Sequence, residues 1–161
     1  MTDIEKIDDI CRHKQNVQAD TQLLGERLID KGEVHLGRNL IANGFIHDDS
    51  KFYGIEFDHM YRDNPDKDSL SLAIKQHNRT NLHHPEYWGG IKNMPRLFLA
   101  EMVVDWKARS NEFGTSLKEW INVGAASKYS YTAQDKVYEE IIYFFSILCD
   151  QPFTPIRPEG A

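Results

Sequence analysis

Seven histidines stand in a chain of 161 residues whose net charge is −6. Imidazole and carboxylate are the side chains that hold transition-metal ions, and their spacing here aims several of them inward. His13 falls between Ile10 and Val17, and Asp20 follows it by seven residues. His77 comes seven residues after Leu70; Asp105 comes seven after Phe98 and three after Met102. Residues seven apart share one face of an α-helix. Three helices therefore each direct a ligand-type side chain at the core. Buried unpaired, each would cost several kcal/mol, whereas one metal centre satisfies them together. A fourth contributor is the segment GFIHDDSKF, in which His47 and Asp48 are adjacent and Asp49, Ser50 and Lys51 follow.

The elements that must carry these residues read as helices nearly throughout. Ile4, Ile7, Ile10, Val17, Leu24 and Leu28 mark a long first helix ending near Gly32, and a second covers roughly Gly37 to Gly44. A short segment runs from Lys51 to about Arg62, interrupted by Asn64-Pro65. Leu70, Ile74, His77 and Asn81 form the next stripe, which Pro85 must close. Pro95 suits the first position of a further helix carrying Phe98, Met102, Asp105 and Trp106. Leu117, Trp120 and Ile121 predict another short helix, and Thr132 is the expected N-cap of the last. No alternating strand pattern appears, so the fold class is all-α: one helical domain over residues 1–150 with an irregular tail, 151–161, rich in proline.

Bulk composition narrows the function. With 40% hydrophobic and 27% charged residues the chain is globular. The acidic balance argues against general nucleic-acid binding but not against a small anionic substrate beside a metal. Cys11 and Cys149 are too few for a disulfide framework and read as reduced thiols. No signal peptide or membrane-length apolar run appears, so a cytoplasmic location and no membrane partner are expected.

In the order His13, His47-Asp48, His77, His83-His84, Asp105, the sequence resembles the HD superfamily of metal-dependent phosphohydrolases. The resemblance spans about residues 13 to 105. By His77 and the run HNRTNLHHPEYW it leans towards HD-like proteins of phage and bacteria. It implies a single HD-type helical domain in which His13, His47, Asp48 and Asp105 form a core metal site. His77 with His83, His84 or both would hold a second ion. His84, seven after His77, is the favoured one if the helix continues, though the pair stays open. The implied cofactor is one or two divalent transition metals: Mn, Fe, Co, Ni or Zn. Lys51 matches a lysine that contacts substrate phosphate in phosphodiesterase-like members, so Lys51 and Asp48 are the implied catalytic pair. The Gly-Tyr-Pro motif of the cyclic-dinucleotide enzymes is absent, and the interval from His77 to His84 is far shorter than theirs.

The expected activity is hydrolysis of a small phosphate ester or anhydride, a nucleotide in the first instance. Two alternatives are an HD-type di-iron oxygenase and a non-catalytic scaffold that binds a protein partner. Arg79, Tyr87 and Trp88 join Lys51 as candidate substrate contacts, with Arg38, Lys75 and Lys128 as further phosphate candidates. Glu101, four residues before Asp105, is either a partner that orients a ligand histidine or a plain surface acid. His35 and His59 read as solvated, and Glu56 and Asp58 as surface acids.

Overall fold

The computed structural model describes residues 1–153 and is all-α, with no strand among them. Most of the expected tail lies outside the described residues. The helices are α1 (Asp3–Asp30), α2 (Val34–Ile46), α3 (Gly54–His59), α4 (Lys67–Thr80), α5 (Arg96–Phe113), α6 (Leu117–Glu119), α7 (Ala125–Tyr129) and α8 (Lys136–Cys149). Short 3-10 turns cover Asp49–Phe52, Pro85–Trp88 and Ile91–Asn93. No helix among the described residues is long and apolar enough to cross a membrane.

α1 begins at a reciprocal cap, in which the Thr2 hydroxyl accepts from the Glu5 amide and the Glu5 carboxylate accepts from the Thr2 amide. Its buried stripe is Ile10, His13, Val17, Thr21, Leu24 and Leu28. Ile4 and Ile7, expected on that stripe, are exposed. α2, the helix that covers α1, has only 13 residues against 28, so the first turns of α1 extend past it.

Glycine sets how closely α1 and α2 approach. A Cβ on Gly37 would lie 2.3 Å from the Gly25 carbonyl oxygen, and one on Gly44 would lie 2.0 Å from the Thr21 hydroxyl. This backbone-to-backbone contact registers the two antiparallel helices and brings the end of α2, with His47, level with His13.

α5 is the central element. Leu99 to Trp106 are all buried, against α1, α2 and α8. α8 closes the core with Ile141, Phe144, Phe145 and Leu148.

Several boundaries differ from expectation. Pro95 precedes α5 in extended conformation rather than opening it. α4 stops at Thr80 because Asn81 turns extended, well before Pro85, and its Ile74 is exposed. Thr132 does not cap α8: the Asp135 carboxylate accepts from the Thr132 amide, and the helix starts at Lys136. Between α6 and α7 the chain makes a π turn, Trp120–Gly124, which the pattern did not reveal. A Cβ on Gly124 would lie 2.4 Å from the Trp120 ring. Cys11 and Cys149 are free thiols, both half-buried.

Candidate metal centre

α2 ends at His47, and the chain turns sharply through Asp48, whose φ of 60° lies in the left-handed region. An L-residue adopts that region at a cost, although Asp tolerates it better than most. The Lys14 ammonium of α1 holds the turn, donating to the His47 carbonyl at 2.6 Å and to the Asp49 carboxylate. Asp48 is thereby aimed into the interior.

Four elements converge on it. Asp48 Oδ1 lies 3.5 Å from His47 Nε2, 3.4 Å from His77 Nε2 and 3.3 Å from His83 Nε2. Its Oδ2 lies 3.5 Å from His13 Nε2. Asp105 Oδ1 is 2.9 Å from His13 Nε2 and 3.6 Å from His47 Nε2, and Asp105 Oδ2 is 3.8 Å from His83 Nε2. Two ligands about 2.1 Å from a shared ion, at tetrahedral or octahedral angles, stand roughly 3.0–3.4 Å apart. The observed separations cluster around that interval.

The hydrogen-bond pattern is the more telling test. The inward Nε2 atoms of His13, His47, His83 and His84 and the oxygens Asp48 Oδ1 and Asp105 Oδ1 are buried without a hydrogen-bond partner. His13 and Asp105 are close enough to bond but are not angled for it. Native interiors leave few such groups unsatisfied, and here six sit together around one point.

On three of the rings, His13, His47 and His77, the outward nitrogen is satisfied by a carboxylate. His13 Nδ1 donates to Glu112 at 2.9 Å, His47 Nδ1 to Glu101 at 2.9 Å, and His77 Nδ1 to Glu56 at 2.8 Å. A carboxylate on the far nitrogen fixes the ring and leaves Nε2 free to ligate. Asn43 donates to the second Glu101 oxygen, and Ser50 donates to Glu56. The donor set fits divalent transition metals in three overlapping groups: Asp48, His77, His83 and His84; His13, His47 and Asp48; and His47, His83 and Asp105.

Electrostatics of the protein alone follow from this crowding. Burial pushes His47 down, but Asp48, Asp105 and Glu101 outweigh it and raise the ring to about 10. Burial pushes Glu101 up, but its bonds to His47 and His83 bring it down to about 2. Asp48 and Asp105 lie well below the usual carboxylate range, their burial overcome by the surrounding histidines. Burial and the neighbouring His83 drive His84 down to about 2, so it is neutral and ready to ligate.

Both histidines after α4 reach the cluster. His84 was expected by continuing the helical face of His77, but α4 has ended, and His83 Nε2 makes the closer approach to Asp48. Lys51 is a correction. It was expected free in front of the metals. Instead it is 3% exposed, with its ammonium 2.6 Å from Asp48 Oδ2, because the 3-10 turn folds it back onto that carboxylate. Arg79 is exposed on α4, and Tyr87 is exposed on the 3-10 turn Pro85–Trp88. Trp88 stacks near Phe98 and donates to the Leu82 carbonyl. None of these three lines the cavity at the centre. Asp20 pairs with Lys107 rather than joining the cluster, His35 is exposed, and His59 lies at the end of α3 outside it.

That cavity, of about 710 Å³, runs from His83, His84 and Asp105 between α5 and the α6–α7 region. Trp106, Phe113, Trp120 and Tyr129 form its apolar walls, and Arg109 and Lys128 are its cations. Glu56, read from the sequence as a surface acid, is instead buried against His77, and Glu112 and Arg109 were not picked out. Arg109 had a signal: it follows Asp105 by one helical turn, as Glu101 precedes it.

No curated protein and no solved structure matches the chain. Residues 2–146 match the model of a family described only as of unknown function, DUF5662. That match takes in every candidate ligand, and the chain belongs to this family.

Proposed function

We propose that the chain is a metal-dependent phosphohydrolase acting on a small phosphate ester of the nucleotide type. The observation that carries this reading is the group of unpartnered, buried Nε2 and carboxylate oxygens closing one end of a cavity that also holds Arg109. The resemblance to HD phosphohydrolases in ligand order supports it. Divalent ions held there would lower the pKa of a bound water towards neutrality and polarise a phosphoryl oxygen.

The residues of the chain have separable roles. His13, His47, Asp48 and Asp105 would hold one ion, and His77, His83 and His84 a second, with Asp48 common to both. Glu112, Glu101 and Glu56 fix the rings. Lys51 keeps Asp48 ionised and in place, acting through that carboxylate rather than on the substrate. Arg109 is the cation placed to meet phosphoryl oxygens as the bond to the leaving group breaks.

The test is metal quantification followed by a screen of phosphate esters and nucleotides with Mn²⁺, Co²⁺, Ni²⁺ and Fe²⁺. Two ions per chain and turnover abolished in His47→Ala are expected. A metal-loaded protein inert towards every phosphate compound would overturn the reading. The apolar walls, Trp106, Phe113 and Trp120, favour as second reading an HD-type di-iron oxygenase. Iron after aerobic purification, with a visible absorption band and oxygen consumption, would establish that one.

A further inference from the structure

The polar groups of the cavity are distributed unevenly. Of the two cations that line the cavity, Arg109 is the nearer in sequence to a candidate ligand, about 6 Å along α5 from Asp105 at 1.5 Å per residue. Its guanidinium is largely withdrawn from solvent, with 36% of the side chain exposed. Among the described residues its charged contact is Glu112 at 3.7 Å, beyond hydrogen-bond distance, and Glu112 is already engaged by His13. Arg109 lines the cavity and makes no side-chain hydrogen bond among the described residues, so its N–H donors remain open to an acceptor. Planar donors of that kind fit the paired oxygens of a phosphate.

The wall opposite is aromatic. Trp106 and Trp120 meet edge to face at 5.8 Å, and Trp106 and Tyr129 lie nearly parallel at 6.2 Å. Trp120 and Gly124 belong to the π turn, a rare conformation that is frequent at functional sites. The indole N–H of Trp120, on this aromatic wall, is buried without a partner. Phe113 and Val123, both at the rim, are 72% and 58% exposed.

We infer that this cavity binds an anionic ligand with a flat apolar group: Arg109 takes the phosphate or phosphonate end, and Trp106, Trp120 and Tyr129 take the ring. The assignment rests on the phosphohydrolase reading for the orientation of the anionic end towards Asp105. It goes beyond that reading in making the apolar ring, rather than the phosphate alone, the feature selected.

Equilibrium binding tests it without turnover. The probes are 1-naphthylmethylphosphonate, which has no ester bond to cleave, and methylphosphonate. Each is titrated calorimetrically into the full-length protein loaded with Mn²⁺. The naphthyl compound is expected to bind at least about tenfold tighter, since a buried ring removes apolar area from water. Arg109→Ala should weaken it by about tenfold or more, as expected when a charged hydrogen bond is lost. Arg109→Lys should fall between. Trp120→Phe, which keeps a ring, should retain the preference for naphthyl over methyl, and Trp120→Ala should reduce it. Equal affinity for the two phosphonates overturns the proposal, as does Arg109→Ala binding unchanged or losing its metal. Tight naphthyl binding without turnover of any ester would sink the hydrolase reading alone.

Discussion

Replacing Glu101 with glutamine removes one negative charge while keeping the size of the side chain and an oxygen for the His47 Nδ1 proton. The carboxyl is displaced from 4.5 to about 2 by burial, which opposes the shift, and by His47 and His83, which prevail. That net displacement, with burial opposing it, is worth about 3 kcal/mol in favour of the ionised carboxylate, so the rings contribute more than this. When an ion replaces the ring protons, part of that coupling persists through the polarised Nδ1–H. Loss of such a partner typically lowers metal affinity about 10–100-fold, or roughly 1.4–2.7 kcal/mol at 1.4 kcal/mol per tenfold. Glu101→Gln should therefore weaken Zn²⁺ or Mn²⁺ binding by about that factor in competition with a chromogenic chelator. Helix content by circular dichroism should stay unchanged. An affinity within twofold of the parent protein would refute the coupling of the carboxylate to the ion through His47.

The chelated protein should have its highest melting temperature near pH 6.5, because His84, held neutral with its pKa down at about 2, loses stability as pH falls below 6.5. The depressed Glu101 contributes stability present above its unfolded value of 4.5 and lost as pH falls towards about 2; the raised His47 contributes below 6.5 and loses it as pH climbs towards about 10. Metal loading should move that optimum upward, because the ion competes with protons for the rings; melting scans across pH with and without chelator check both. Lys51→Met should destabilise the chelated protein by about 3 kcal/mol in urea, the scale of breaking a buried pair. It should do so less with metal bound, since an ion neutralises Asp48, and an equal loss in both forms would contradict the pairing. Gly37→Ala should cost about 1–3 kcal/mol through the clash with the Gly25 carbonyl. It should also weaken metal binding by separating α1 from α2, as the chelator assay would show.

The inward-facing histidines were legible because helical periodicity fixes a face: His13 and His77 are buried where their seven-residue spacing places them. The pair after α4 was ambiguous for the same reason, since periodicity says nothing once Asn81 leaves the helix. Glu112 meets His13 across 99 positions and Glu101 meets His47 across 54. No spacing rule links such residues, because only the packing of α5 against α1 and α2 brings them together. Lys51 was expected at substrate phosphate from the resemblance alone; the left-handed Asp48 and the 3-10 turn, which no residue spacing announces, fold its side chain back onto Asp48. Glycine contacts between α1 and α2 left no apolar signature to read.

The cavity also bears on how ions exchange with the centre. Of the candidate ligands, His83, His84 and Asp105 line it, whereas His13, His47 and His77 lie behind them at 2–4% exposure. An ion that includes His84 among its ligands is therefore the outer one, first to load and first to leave. The ion proposed on His13 and His47 meets the cavity through Asp105 alone, so it would leave past that carboxylate or when α1 loosens from α5. Chelation should accordingly proceed in two kinetic phases, a fast one set by diffusion through the cavity mouth and a slow one set by helix opening.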